Sequence, residues 1–112
     1  MLNIKLNNEG LVRLVVNEDE SKVIEFDPYD IAFLSGVNKI SKIFTNLKSD
    51  DLDMLEEKFD EIEKIMKRVF GEKSIEYLFE NRRNVTLYTQ FFTQITPFVK
   101  QKRETLVNKY TN

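Results

Sequence analysis

The sequence contains neither cysteine nor histidine, and these two absences exclude much of the usual chemistry of enzymes and metal sites. Without cysteine there is no disulfide, no thiolate ligand and no thiol nucleophile. Without histidine the chain lacks the commonest general base and the commonest ligand of transition metals. The only glycines are Gly10, Gly36 and Gly71, which stand too far apart for a phosphate-binding loop. We therefore expect a protein that is not an enzyme and that uses no cofactor.

Net charge and hydropathy narrow the possible partners. Seventeen Lys and Arg residues against nineteen Asp and Glu residues leave a formal charge of −2, which gives no long-range attraction to phosphate backbones. No apolar run reaches the roughly 20 residues that a membrane-spanning helix needs, and the first residues lack the pattern of a signal peptide. We therefore expect a cytoplasmic protein that binds neither nucleic acid nor membrane. Its 112 residues predict one domain, residues 1–112.

One acidic cluster has the beginning of a calcium-loop pattern. Asp50, Asp51 and Asp53 have the spacing of the first ligands, but such a loop needs Gly at its sixth position and Glu at its twelfth. Counted from Asp51, those positions hold Glu56 and Ile62. The cluster is explained better as the capped start of a helix. We therefore expect no metal site.

The start of the chain has the period of β-strands. Apolar Leu2, Ile4 and Leu6 alternate with polar residues, which is the pattern of a strand with one face turned inward. Two further β-rich runs follow at residues 11–16 and 23–26, after polar connections. The pattern predicts a three-stranded antiparallel meander.

After the meander the apolar period changes to that of helices. Asp27 and Pro28 have the residue types of an N-cap and a first helical position. The apolar stripe that follows has steps of three and four residues and consists of Ile31, Leu34, Val37, Ile40, Phe44 and Leu47. Gly36 interrupts this stripe, and we expect another backbone to approach the helix there.

Three more helices are predicted further along. The second begins after a cap at Asp51 and ends at Gly71, a short one covers residues 74–79, and the last covers residues 85–109. Pro97 lies inside the last helix and predicts a kink. The chain is thus predicted to be an α+β protein, with a small β meander over residues 1–27 and three or four packed helices over residues 28–112.

The last helix is apolar around more of its circumference than one buried stripe requires. Either the meander and the first helices cover it completely, or part of it contacts another chain, which is a second copy or a protein client. We predict the second case. The predicted partner-binding residues are Tyr88, Phe91, Phe92, Ile95 and Phe98.

Charge is divided unevenly along the chain. Residues 1–80 hold 18 acidic and 11 basic side chains, whereas residues 81–112 hold one acidic and six basic side chains. Two interpretations are open. The two ends neutralise each other within one fold, or they dock against other molecules of opposite charge, copies of this chain included.

From Asp27 onward the chain resembles small proteins of bacteriophages and prophages of Gram-positive bacteria that are grouped with tail assembly chaperones. The motifs of the resemblance are Phe26-Asp27-Pro28-Tyr29-Asp30, Val69-Phe70-Gly71-Glu72, Tyr77-Leu78-Phe79, Phe91-Phe92 and Thr96-Pro97-Phe98-Val99. The resemblance implies a non-enzymatic chaperone that binds the apolar, helical tape measure protein or another tail protein during virion assembly. It would act in the cytoplasm of the host cell.

Two other functions are compatible with the same residues. A phage-borne inhibitor or regulator would bind a host protein through the acidic segment at residues 50–63. A structural component of the tail or of the head–tail connection would remain in the finished virion. The residues exclude neither of these alternatives.

Overall fold

The computed structural model describes the backbone of residues 1–6, 10–47 and 50–111, and it describes side chains up to Gln101 and at Glu104. A β-hairpin is followed by four helices. In chain order the elements are β1 (Val12–Val16), β2 (Asp19–Phe26), α1 (Ile31–Thr45), α2 (Leu52–Phe70), α3 (Ser74–Phe79) and α4 (Val85–Thr111). The predicted α+β class and the order of strands before helices are confirmed. None of the helices in this described part is long and apolar enough to cross a membrane.

A tight turn joins the two antiparallel strands. Asn17 and Glu18 connect them with φ values of 51° and 61°, the left-handed conformation that fits the twist of a two-residue hairpin. The register then shifts, because Val16 lies opposite Asp19 while Val15 lies opposite Val23. Residues 20–22 of β2 therefore form a bulge.

The strand predicted at residues 2–6 is not part of the sheet. Within the described residues the sheet has two strands, and residues 1–6 lie outside it. Leu2, Ile4 and Leu6 keep 84%, 65% and 90% of their surface exposed. Alternation marks which side chains of a strand share a face, but a strand also needs a neighbour to pair with. The prediction of three strands was therefore wrong for this part of the chain, whereas the β-rich runs at residues 11–16 and 23–26 lie largely in β1 and β2.

Helix α1 begins three residues later than predicted. The N-cap is Asp30, whose carboxylate accepts a hydrogen bond of 2.9 Å from the backbone N–H of Ala32. Asp27 instead closes a turn of its own, since its carboxylate accepts from the N–H of Tyr29 at 2.9 Å and its carbonyl accepts from the N–H of Asp30. Pro28 is buried in this turn. Two aspartates three residues apart are both good caps, and the position of the turn decides between them.

The buried face of α1 is rotated from the predicted stripe. Ile31 is 71% exposed, while Phe33, Gly36 and Ile40 are buried. A Cβ atom at Gly36 would lie 2.9 Å from Cγ1 of Val69 and 3.0 Å from Cγ2 of Ile65. The close approach expected at Gly36 therefore occurs, but it is made by side chains of α2 rather than by a backbone.

The other helix boundaries match the sequence closely. Asp51 caps α2 by accepting from the N–H of Met54 at 3.1 Å, and Gly71 follows the helix with a φ of 101°. Helix α3 has the predicted bounds and ends at Glu80, which has a left-handed φ of 53°. Helix α4 continues through Pro97 to Thr111, and its kink stays a prediction.

The core is rich in aromatic rings. Phe26 of β2 stacks on Phe33 of α1 with ring centroids 5.1 Å apart, and Phe70 of α2 meets both rings edge-on. These three rings join the hairpin to α1 and α2. A second set, deeper in the helical part, consists of Phe44, Phe59, Phe79 and Tyr88.

Candidate functional site

Helix α4 borders an apolar groove under the hairpin, which we call the hairpin groove. It has a volume of about 460 Å³ and lies between β1, α3 and α4. Its lining residues are Val12, Leu14, Val15, Val16, Asn17, Phe26, Leu78, Phe79, Leu87, Gln90, Phe91, Gln94, Ile95 and Phe98. Only Asn17, Gln90 and Gln94 are polar, and none of the lining residues carries a charge. The groove therefore suits an uncharged, apolar surface.

A second groove lies on the other side of α4, against α1. It has a volume of about 550 Å³ and is called the α1 groove here. Its lining residues are Val37, Ser41, Phe44, Thr45, Thr89, Phe92, Thr93, Thr96 and Pro97. Five of the nine are hydroxyl residues, so this surface is more polar than the hairpin groove.

The structure places Tyr88 inside the chain. Its side chain is fully buried, with its ring stacked on Phe79 at 3.7 Å between centroids and edge-on to Phe59 at 5.3 Å. Its hydroxyl is buried without a hydrogen-bond partner. Burial, with a smaller contribution from the negative charge of Glu63, raises the pKa of the Tyr88 hydroxyl far above its ordinary value. Tyr88 is therefore a core residue and not part of the chain's surface.

The other four predicted residues divide between the two grooves. Phe91, Ile95 and Phe98 line the hairpin groove, where spacings of four and three residues place them on one face of α4. Phe92 follows Phe91 directly and is turned by about 100° around the helix, so it lines the α1 groove. Ile95 is buried, whereas the three phenylalanines are partly exposed. The five residues therefore do not form one continuous surface.

Sequence reasoning did not place β1 at this site. Val12 and Leu14 of β1 line the groove together with Gln90 and Gln94 of α4. The alternation of residues 11–16 indicates which side chains share the inner face of β1, but it does not tell which helix that face meets. On α4 the available signal was the four-residue spacing of Gln90 and Gln94, which places both glutamines on one face of the helix beside the apolar stripe.

A cationic side chain ties the start of α4 to α2. The guanidinium Nη2 of Arg83 lies 2.6 Å from Oδ1 of Asp60 and 2.8 Å from Oε1 of Glu63. Nη1 donates a further bond to the backbone carbonyl of Glu56 at 3.3 Å. The hydrogen bond with Glu63, then that with Asp60, raises the pKa of Arg83 above its already high ordinary value. Here the basic end and the acidic part of the chain neutralise each other within one fold.

Loss of the ion pairs of Arg83 is expected to have a modest, salt-dependent effect on the free energy of unfolding. Arg83→Met should lower the free energy of unfolding by about 1 kcal/mol, because the ion pairs are partly exposed and screened by water. The exposed neighbour Arg82 offers a matched control, and Arg82→Met should change stability by less than about 0.5 kcal/mol. Urea unfolding of both variants at low salt and at about 1 M salt checks the prediction, since screening should shrink the Arg83 effect. An effect of Arg83→Met that is the same at both salt concentrations would contradict it.

The acidic side chains do not assemble a metal centre in the part of the chain that the structure describes. No group of three or more Asp and Glu side chains there is arranged to hold a metal ion. Asp60 and Glu63, which belong to the acidic segment at residues 50–63, are engaged by Arg83. The segment is thus partly occupied by a contact within the chain.

Comparison with known proteins identifies no relative of this chain. No protein-family model matches the chain, and neither a curated protein nor a solved structure is significantly similar to it.

Proposed function

We propose that this chain is a non-enzymatic phage tail assembly chaperone that binds an apolar, helical client, the tape measure protein, in the hairpin groove. The observation that carries the proposal is the groove itself, where three of the predicted residues, Phe91, Ile95 and Phe98, line a partly open apolar surface. The resemblance in the sequence supplies the identity of the client. The absence of His and Cys from the chain supports a binding role rather than a catalytic one.

The groove is suited to an amphipathic helix. Both β1 and α4 contribute apolar side chains to the groove. The apolar face of a client helix bound between them would be removed from water, which favours binding. Gln90 and Gln94 can exchange hydrogen bonds with polar groups at the border of that face. Binding of this kind keeps an apolar client in solution by mass action and consumes no energy source.

A genetic experiment tests the biological role. Deletion of the gene from its phage or prophage should yield filled heads without tails, and complementation should restore the tails. Mass spectrometry of purified wild-type virions should not detect the protein, because a chaperone leaves before the particle is complete. Normal tails in the deletion strain would overturn the proposal, and detection of the protein in virions would favour a structural component instead.

A substitution at the groove tests the proposed surface. Gln94→Lys should weaken binding of the tape measure protein of the same phage or prophage at least about tenfold, since the ammonium group would lose water on binding. Gln94 is exposed on α4, so the fold should tolerate the change. Thr89→Lys is the matched control, because Thr89 is an exposed residue of α4 that does not line the hairpin groove. Co-expression followed by titration of the purified proteins measures both; equal binding by the two variants would exclude this groove.

A further inference from the structure

Strand β1 has an open edge. Among the residues that the structure describes, β1 hydrogen-bonds to β2 alone. Every second residue of β1 therefore directs its N–H and C=O groups away from β2, and such an edge is a template for another strand. The edge lies at the hairpin groove, which β1 lines with Val12, Leu14, Val15 and Val16.

Residues 1–6, called the leading segment here, have the pattern of the strand that this edge lacks. Leu2, Ile4 and Leu6 alternate with Asn3 and Lys5, so one face of the segment is apolar. The run from Leu2 to Leu6 has five residues, the same length as β1 (Val12–Val16). Yet the apolar side chains keep most of their surface exposed, which shows that the segment stands clear of its own sheet.

We propose that the leading segment pairs with the β1 edge of a second copy of this chain, and that the exchange is reciprocal. Within the described part of a single copy, neither the outer edge of β1 nor the leading segment has a strand partner, so two copies related by a two-fold axis can supply each other's partners. Each edge then gains a row of backbone hydrogen bonds, and each leading segment buries the apolar face that it exposes in the isolated chain.

One antiparallel register places each apolar residue of the leading segment opposite an apolar residue of β1. With Ile4 opposite Leu14, the flanking pairs are Leu6 with Val12 and Leu2 with Val16. Residues directly opposite each other project on the same side of a sheet, so all three pairs face the hairpin groove. A shift of one residue would turn the apolar face of the segment to solvent, so the pattern specifies the register.

The exchanged strand lies along the mouth of the hairpin groove. In the dimer it extends the sheet over the side of α4 that carries Gln90 and Gln94. A second copy and an apolar client therefore compete for the same surface, and client binding would dissociate the dimer. This consequence rests on the proposed function, whereas the exchange itself can be measured with no client present.

Sedimentation of the purified full chain tests the exchange. The wild type should be in equilibrium between monomer and dimer. Ile4→Asp should weaken dimerisation at least about tenfold, because the pairing would bury an unpartnered carboxylate. Asn3→Asp is the matched control: it adds the same charge one residue away, on the opposite face, and should leave the equilibrium nearly unchanged. Both positions are exposed in the single chain, so neither substitution should unfold it.

Cysteine cross-linking separates exchange between copies from closure within one copy. The chain has no cysteine, so introduced thiols are its only ones. In the proposed register Asn3 lies opposite Val15, whose side chain is 45% exposed in the single chain. Mixed Asn3→Cys and Val15→Cys variants should therefore form a disulfide-linked heterodimer on oxidation.

Three results would overturn the proposal. They are a wild type that stays monomeric at its highest attainable concentration, a dimer that Ile4→Asp and Asn3→Asp weaken equally, and a disulfide within a single chain in the Asn3→Cys/Val15→Cys double variant. Failure of the exchange leaves the client-binding proposal intact, because a chain that stays monomeric still presents the hairpin groove to the client in the Gln94→Lys and Thr89→Lys comparison.

Discussion

Replacing Tyr88 with alanine is expected to lower the free energy of unfolding by about 3–5 kcal/mol. The ring is fully buried, stacks on Phe79 and meets Phe59 edge-on, so its loss leaves a cavity between α2, α3 and α4. Neighbours that are themselves rigid rings cannot collapse into this space. Urea unfolding followed by circular dichroism measures the effect.

Tyr88→Phe is expected to act in the opposite direction. It keeps the ring contacts and removes a buried hydroxyl that has no hydrogen-bond partner. A buried polar group without a partner costs about 1–3 kcal/mol, so the variant should be more stable than the wild type by at least about 1 kcal/mol. That gain corresponds to a rise in Tm of about 4–8 °C for a domain near this size. A Tyr88→Phe variant less stable than the wild type would show that the hydroxyl has a favourable role.

The same hydroxyl predicts a dependence of stability on pH. Burial raises the pKa of Tyr88 above its ordinary value of 10.0, so the folded chain holds this proton at pH values where the unfolded chain releases it. Stability linked to this group is therefore complete below pH 10 and is lost progressively as the pH rises above it. Tyr88→Phe removes this dependence, and unfolding curves of the two proteins between neutral pH and pH 11 (about one unit above the ordinary value) compare it directly.

Gly36→Ala is expected to destabilise the chain although alanine favours helices. The substitution gains up to about 1 kcal/mol in helix propensity. Against this gain, the new Cβ atom would lie 2.9 Å from Cγ1 of Val69 and 3.0 Å from Cγ2 of Ile65. Both neighbours are β-branched and stiff at χ1, so they cannot rotate aside, and α1 must move away from α2. We expect a net loss of about 1–2 kcal/mol, within the usual range for an overpacked core.

A second substitution separates overpacking from other causes. Val69→Ala alone should destabilise the chain by loss of buried methyl groups, but it also removes the atom nearest to the added Cβ. The Gly36→Ala/Val69→Ala variant should therefore be more stable than the sum of the two single effects, with a coupling of at least about 0.5 kcal/mol. Strict additivity in urea unfolding would mean that Gly36 is not a point of contact between the helices.

Local signals were sufficient for much of the fold. The cap at Asp51 and the left-handed residue Gly71 set the limits of α2 through bonds within a few residues, and such bonds can be read from neighbouring sequence. The apolar period in the same way predicted α3 and α4. The start of α1 shows the limit of this approach, since Asp27 and Asp30 are equally good caps and only the turn with buried Pro28 selects Asp30.

The candidate site depended much more on how the elements pack. Sequence predicted that the aromatic residues of α4 were too many for one buried stripe, and it named Tyr88, Phe91, Phe92, Ile95 and Phe98 as one partner surface. In the structure the rings of Phe59 and Phe79 enclose Tyr88, and Phe91 and Phe92 face different grooves. The period of a helix tells which residues share a face, but not which neighbouring element covers that face.

The sequence by itself determined the α+β class and the order of strands before helices, because period and capping act over a few residues. Its composition alone excluded histidine and cysteine chemistry. Tertiary structure decided which side of α4 is covered by α1 and α2 and which borders the open hairpin groove. It also decided that the leading segment stands apart from β1, although its alternation is that of a strand. Packing and strand pairing join residues far apart in the chain, so their outcome depends on every element at once.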